Sequence, residues 1–322
     1  MEDDISAPST ASEWACPRCR ADLPLTQPAS HDVRFALTLE TRPVHSSASL
    51  ETYDNSCENC GLPYTASSAS HFEYPYRQLL AKVDLRRFLR WSSAQNNGYV
   101  SYSLMKGSSC SVDGREDAIQ FANFIRKNVS STPNVVVDLG CGPLPQPAYL
   151  PPLPGATLIG VDPFDSQWNG RFIQGVGEFL PLKSDSVDLV VAATALDHTL
   201  DLKLTLSELA RVTKKGADLM VWDHTFEPRA ARITRMLYGL LLFRVPLRTK
   251  IAQVRTSLLP ERMRIYDNGI VLWTPKGYAD PFHEPQSRRP SWPRKLRKAI
   301  EEAGFTYAAG DPALGLSHFM RK

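Results

Sequence analysis

The sequence predicts an α/β protein: a largely parallel sheet with helices on both faces, a small cysteine-bound module on its amino-terminal side and a helical insertion near its end. Three observations predict it. The run Val135-Val136-Val137-Asp138-Leu139-Gly140-Cys141-Gly142 is an apolar, β-branched strand that ends in an acid and a two-glycine turn. About 20 residues on, Thr157-Leu158-Ile159-Gly160-Val161-Asp162 repeats the pattern of a buried strand with a terminal acid. Strands and helices then alternate to residue 225 and resume after residue 292.

Composition sets the outer bounds. Of 322 residues, 43% are hydrophobic and 22% charged, which excludes disorder throughout and leaves room for one large domain or two modest ones. The start, Met1-Glu2-Asp3-Asp4-Ile5-Ser6, is acidic and polar without the apolar centre of a signal peptide, and no stretch approaches the length of a membrane-spanning helix. A cytoplasmic protein is therefore expected. A net charge of +3 excludes nucleic-acid binding driven by overall charge, although acid gathers at the start and base toward the end. Six cysteines in such a chain suggest metal ligands or buried thiols rather than disulfides.

Residues 1–13 form a polar tail, expected to be disordered. Residues 14–66 carry two Cys-x-x-Cys knuckles, Cys16/Cys19 and Cys57/Cys60, with a strand-like run Val33–Leu39 between them. Two intervening residues let both sulfurs of a knuckle reach one tetrahedral Zn2+, and Gly61 permits the left-handed turn that follows. The 37 residues between the knuckles exceed the usual 15–20, so separate thiols, or a ligand such as His31 or His45, stand as alternatives to the four-thiolate site. A module this small lacks core volume, so the metal's role is structural.

Residues 67–114 read as a helical linker. From Tyr74 to about Ser92, Leu79, Leu80, Val83, Phe88, Leu89 and Trp91 recur at helical spacing among Arg77, Lys82, Arg86, Arg87 and Arg90. This is a solvated face on a packed helix or, alternatively, a contact for an anionic partner. The core, 115–225, opens with a helix from about Arg115 to Val129 whose apolar side carries Ile119, Ala122, Phe124, Ile125 and Val129. After the two acid-tipped strands come strands at Arg171–Gly175 and Ser186–Ala192, a helix around Leu202 to Val212, and a strand at Ala217–Trp222. Residues 226–291 are an insertion, and 292–322 return to the core with a helix over Pro293–Glu302, stopped by Gly304, and two short strands.

In this order the motifs Asp138-Leu139-Gly140-Cys141-Gly142, Gly160-Val161-Asp162, Glu178-Phe179-Leu180-Pro181, Asp188-Leu189-Val190-Val191 and Glu208–Gly216 resemble the class I S-adenosylmethionine-dependent methyltransferases. The resemblance covers roughly 115–225 and 292–322. It implies a Rossmann-like sheet of seven strands whose last strand is reversed, with S-adenosylmethionine as cofactor. Gly140 and Gly142 would lie against the methionine part, Asp138 would fix the turn or meet the amino group, and Asp162 would hold the ribose. Pro143, Pro145 and Pro147 leave room for only a short helix after the turn, which removes the amide cluster a dinucleotide's pyrophosphate needs. Two departures stand out: Leu144 replaces a third glycine, and Val176 occupies the place of an acid near the adenine. Glu178 is expected to substitute, or backbone groups at Gly177–Phe179 to read the base. Glu178 as a carboxylate capping a turn or helix is the competing reading.

Methyl transfer needs alignment and, for a hydroxyl acceptor, removal of a proton. Ala193-Thr194-Ala195-Leu196-Asp197-His198 follows the fourth strand, where the resemblance places acceptor-side groups, with Ala193 beside the cofactor. His198 is the candidate general base and Asp197 its orienting partner, against a capping role for the same histidine. His224 and His283 are weaker candidates. The stretch 229–259 holds Arg232, Arg235, Arg244, Arg248, Lys250 and Arg255, no acid, and the apolar run Met236–Phe243. It reads as a lid over the pocket, or as a peripheral contact with an anionic membrane or lipid-linked phosphate. With Arg288, Arg289, Arg294, Lys295, Arg297 and Lys298 it argues for an anionic acceptor.

The sequence thus leads to a methyltransferase acting on oxygen or nitrogen of a small, glycosidic or lipid-linked acceptor. The alternatives are an RNA methyltransferase, since certain ribosomal RNA enzymes also carry a preceding zinc ribbon, and an inactive interaction protein. The chain has no Asn-Pro-Pro-Tyr-type motif, so RNA is not favoured.

Overall fold

Successive residues of a strand point to opposite faces, so Val136 and Val137 belong to different cores, one on each side of a single sheet. The computed structural model describes residues 14–23, 55–66, 71–89, 91–92, 95, 116–142, 145, 147–164, 166–223, 262–265, 271–274 and 291–322. In chain order the elements are β1 (Asn55–Ser56), β2 (Pro63–Ala66), β3 (His71–Glu73), α1 (Tyr76–Val83), α2 (Glu116–Asn128), β4 (Val135–Leu139), β5 (Thr157–Asp162), β6 (Arg171–Gln174), β7 (Val187–Ala193), α3 (Leu202–Val212), β8 (Thr213–Trp222), β9 (Arg262–Ile265), β10 (Val271–Thr274), α4 (Trp292–Glu302), β11 (Phe305–Asp311) and β12 (Leu316–Arg321).

Ten of these strands form one sheet in the order β1-β2-β3-β6-β5-β4-β7-β8-β12-β11. The seven from β6 to β11 are the sheet expected from the sequence: β6, β5, β4, β7 and β8 run parallel, and β12 enters antiparallel to both β8 and β11. The strand order reverses between β4 and β7, and the carboxyl end of such a switch point is where open α/β sheets hold ligands. On one face Ala118, Phe121 and Ile125 of α2 pack on Val136, Leu189, Val191 and Met220. On the other, Leu206 and Leu209 of α3 and Leu296 and Ile300 of α4 cover Val137, Ile159, Val190 and Leu219.

Local sequence accounts for the helix ends. Glu116 and Asp117 open α2 while Arg126 and Lys127 close it, which complements the helix dipole. Asp201 caps α3 by accepting from the Leu204 N–H at 3.0 Å. Gly304, at φ +100°, turns the chain from α4 into β11.

The amino-terminal region departs from expectation. The segment read as a helical linker first contributes β3, which pairs parallel with β6 and so carries the hairpin of β1 and β2 onto the edge of the core sheet. The single helix expected from Tyr74 to Ser92 stops at Asp84, whose side chain accepts from the Arg87 N–H and starts a further turn over 85–89. Within the insertion the described residues, 262–265 and 271–274, form an antiparallel strand pair, β9 with β10. The basic stretch 229–259, His224 and His283 lie outside the described residues, as do 1–13 and the run Val33–Leu39. Among the described residues no helix is long and apolar enough to cross a membrane.

Candidate active site

The glycine bend is built by two neighbouring strands. Leaving β4, the chain turns through Gly140 and Gly142 at φ +73° and +69°, conformations that a residue with a Cβ rarely adopts. At Gly140 space adds a second requirement, because a Cβ there would lie 2.6 Å from that of Ala195 in the loop after β7. At Gly142 nothing among the described residues lies within 4 Å of the corresponding position, so the bend is open to them on that side. Asp162, at the tip of β5, accepts from the N–H groups of Gly142 and Phe164, each at 3.0 Å, and ties the two strand tips together.

Asp138 is fully buried below the bend. Tyr149 donates a hydrogen bond to its Oδ2 at 2.9 Å, while its Oδ1 has no partner among the described residues. Burial raises this carboxyl to about 7, against the Tyr149 hydrogen bond and with help from the Asp162 charge. Burial likewise lifts Asp162 to about 6, despite its two backbone amides. Tyr149 was not foreseen. It follows the proline-rich stretch, where the described residues form turns rather than a short helix, and it packs tilted against Phe121 and edge-on to Trp222, with its hydroxyl turned inward.

Glu178 sits in a 3₁₀ turn, Gly177–Phe179, and its Oε1 accepts from the N–H groups of Leu200 and Asp201 at 2.7 and 3.0 Å. Burial raises it, and those amides oppose the rise. The structure thus gives Glu178 the capping role ahead of α3. Val176, where an acid was missing, is buried, and its N–H donates to the Tyr74 hydroxyl.

Ala193 ends β7, buried and level with Trp222. Thr194 follows at φ +51°, an unusual conformation for a β-branched residue and one that the sequence does not signal. The chain then enters a second 3₁₀ turn, Leu196–His198. Asp197 is buried; His198 is partly exposed, with its Nε2 3.8 Å from Asp197 Oδ1. The candidate base and its partner therefore share a turn in contact with the glycine bend through Ala195.

The four predicted thiols converge. Their sulfurs all lie within 4.8 Å of one another, with Cys16 to Cys60 at 3.6 Å and Cys19 to Cys57 at 3.5 Å, and none is in a disulfide. Four sulfurs about 2.3 Å from one zinc ion would stand about 3.8 Å apart, so the donor set fits a tetrahedral ion. Burial pushes the Cys16 thiol up to about 12, whereas hydrogen bonds from the Asn59 side chain and the Ala21 backbone bring Cys19 down to about 6. The knuckles match in backbone as well: Arg20 occupies the left-handed position at φ +69° that Gly61 occupies at +66°. Arg20 tolerates it while its guanidinium pairs with Glu208 of α3 at 2.6 Å.

The sheet order, the reversed pair at its end and the acid-and-glycine bend together define a methyltransferase domain. Residues 137–221 match the family model described as "Methyltransferase domain", and this part of the chain is such a domain. The chain is 38% identical over 56 residues to the uncharacterized methyltransferase YcgJ of Bacillus subtilis; the match spans 17% of this chain and 22% of that relative. Among solved structures it is similar to the 1,6-didemethyltoxoflavin-N1-methyltransferase of Burkholderia thailandensis, crystallised with S-adenosylhomocysteine, at 14% identity and TM-score 0.40 over 72% of this chain and 87% of that one. The YcgJ structure matches at 18% identity and TM-score 0.31, over 63% and 94%.

Proposed function

We propose that the protein transfers a methyl group from S-adenosylmethionine to an oxygen or nitrogen of a small, glycosidic or lipid-linked acceptor, and that its four cysteines hold a structural Zn2+. One observation carries the first part: a buried carboxyl with one oxygen unmet among the described residues lies beneath a two-glycine bend that is open at Gly142, with a second, half-buried carboxyl at the adjoining strand tip. Those features suit a cationic ligand without phosphate. When bound, the cofactor supplies a methyl group on a sulfonium. Asp138 is the partner for its ammonium group, and the bend leaves room for its backbone. Asp162 has lone pairs beyond those used by its two amides and can accept from the ribose hydroxyls.

On the acceptor side His198 takes the proton of a hydroxyl or amine, and Asp197 holds its ring. The basic stretch 229–259 serves this reading as a lid or a lipid contact for an anionic acceptor. RNA is less well supported: on α4, Arg297 and Lys298 pair with Glu301 and Glu302, and the Arg297 guanidinium lies 3.7 Å from the Tyr307 ring centre, so part of that basic cluster is already neutralised.

The test is transfer of labelled methyl from S-adenosylmethionine into a cell extract separated into RNA, lipid, glycan and small-molecule fractions. Label in the lipid, glycan or small-molecule fraction, lost in Asp162→Ala, is expected. Label confined to RNA favours the other acceptor class, and no label with any fraction ends the proposal. Metal analysis should return one zinc per chain, absent from Cys57→Ser.

A further inference from the structure

The segment that links the cysteine module to the core touches each of the three loops that follow β5, β6 and β7. Tyr76, at the start of α1, donates through its hydroxyl to the carbonyl of Pro163, one residue past Asp162, at 2.5 Å. Tyr74 donates to the Phe179 carbonyl at 2.6 Å and accepts from the Val176 N–H at 3.2 Å, so one phenol closes the turn after β6. Trp91 donates from its indole to the His198 carbonyl at 2.6 Å. All three side chains are at least 95% buried. Gly175 records how close the Tyr74 contact is, because a Cβ there would meet the Tyr74 ring at 2.6 Å.

From these contacts we infer that Tyr74 and Tyr76 are positioning residues for the adenosyl end of the cofactor, so that the amino-terminal segment completes the pocket. The inference rests on the methyltransferase reading above. Strand order supplies the geometry. With the methionine part at the β4 bend and the sugar at the β5 tip, the base extends toward β6, whose following turn Tyr74 holds. Val176 brings no carboxylate to that turn, so recognition of the base falls on its backbone amides and carbonyls, and those point usefully only if the turn is fixed. The Tyr74 hydroxyl fixes it from below by satisfying one N–H and one carbonyl. Tyr76 does the same for the loop beside Asp162. Trp91 extends the arrangement to the turn that carries His198.

Hydroxyl deletion tests this with little risk to folding, since Tyr74→Phe keeps the ring packed against Phe72 and Tyr76. Binding of S-adenosylhomocysteine and of 5′-methylthioadenosine, which lacks the amino-acid part, is measured by calorimetry on the full chain, alongside melting temperature and amide exchange in the ligand-free protein. For Tyr74→Phe we expect about tenfold weaker binding of both ligands, the cost of one buried N–H left without a partner. Amide exchange should accelerate in 175–180. Tyr76→Phe should weaken both ligands less, with faster exchange confined to the loop after β5. Asp218→Asn, at the other end of the strands, serves as the control for destabilisation alone; it should lower the melting temperature at unchanged affinity. A Tyr74→Phe protein that melts lower yet binds as wild type reduces the residue to a packing role and overturns the inference, as does unchanged exchange in 175–180. Wild-type protein that binds neither ligand removes the methyltransferase reading and the inference with it, an outcome distinct from a variant failing alone.

Discussion

The two ends of the sheet treat their acids in opposite ways. At the amino-terminal ends of the strands, Asp188 accepts from Lys214 at 2.8 Å and from the N–H groups of Asn134 and Val135, while Asp218 meets His318 at 2.8 Å and both the hydroxyl and N–H of Ser130. Burial pushes both acids up, but these partners outweigh it and hold each below the ordinary carboxylate range. At the carboxyl-terminal tips, Asp138, Asp162 and Glu178 are all raised. Their described partners are neutral amides and a phenol. One end is satisfied by the fold; at the other, burial disfavours the charged carboxylates, and under the proposed function the sulfonium and ammonium of the cofactor would supply the missing counter-charge for Asp138 and Asp162.

The largest expected effect tests the satisfied end. Asp218→Ala removes one partner of a buried pair and strands His318, which should cost about 3–5 kcal/mol of unfolding free energy without changing cofactor affinity. Urea unfolding with parallel calorimetry reads both quantities. Weakened binding would show that the two ends are coupled rather than independent.

Asp138→Asn tests the unmet end and should move stability the other way. The folded group titrates near 7 against about 3.9 in an unfolded chain, and three units at about 1.36 kcal/mol each set an upper bound near 4 kcal/mol on what its ionisation costs at pH 8. The variant is therefore expected to be more stable than wild type at pH 8 by about 1–3 kcal/mol, and to bind S-adenosylmethionine at least about tenfold less tightly. A destabilised variant would mean that the carboxylate already has a stabilising partner.

The same acids set a pH dependence whose sign follows from their shifts. Asp138 and Asp162 keep protons in the folded state after the unfolded chain has released them, so their contribution to stability declines as pH rises from about 4 to about 7. Asp188 and Asp218 contribute fully above about pH 4 and lose that contribution as pH falls further. A cationic ligand needs the tip acids ionised. Affinity for S-adenosylmethionine should therefore drop as pH is lowered from 7 to 5, by up to about tenfold per unit for each proton taken up. Thermal shifts at pH 8 should exceed those at pH 5; equal shifts would detach the acids from binding.

How much of this was legible depended on sequence distance. The glycine bend and its neighbouring acid lie about 20 residues apart within one βαβ-like unit, and each knuckle is a four-residue pattern, so local chemistry revealed both. The contacts of Tyr74, Tyr76 and Trp91 join residues separated by 87 to 107 positions, and no spacing rule anticipates them. Just before that periodic stretch lies β3, a strand of three residues, too short to show an alternation of its own, that pairs with the edge the core sheet offers at β6. Glu178 illustrates a different limit. A carboxylate two residues from an expected position looks like a displaced ligand, whereas the N–H groups at the entrance to α3 required an acceptor there, and Glu178 supplies it.

The smallest expected effect concerns the backbone at the unsatisfied end. Thr194 holds a left-handed conformation immediately after β7, where its N–H donates to the Trp222 carbonyl at 2.7 Å and the next residue presses on Gly140. Such a conformation costs a β-branched residue roughly 1–3 kcal/mol, and glycine escapes that cost while losing more freedom on folding. Thr194→Gly should therefore stabilise the protein by about 1 kcal/mol, and should slow transfer if the tension is what aims the turn carrying Asp197 and His198. Greater stability with slower transfer extends the contrast between the two ends from charge to backbone, since both kinds of strain would then sit where the ligand binds. A less stable variant would assign the threonine side chain a packing role and confine the contrast to the acids.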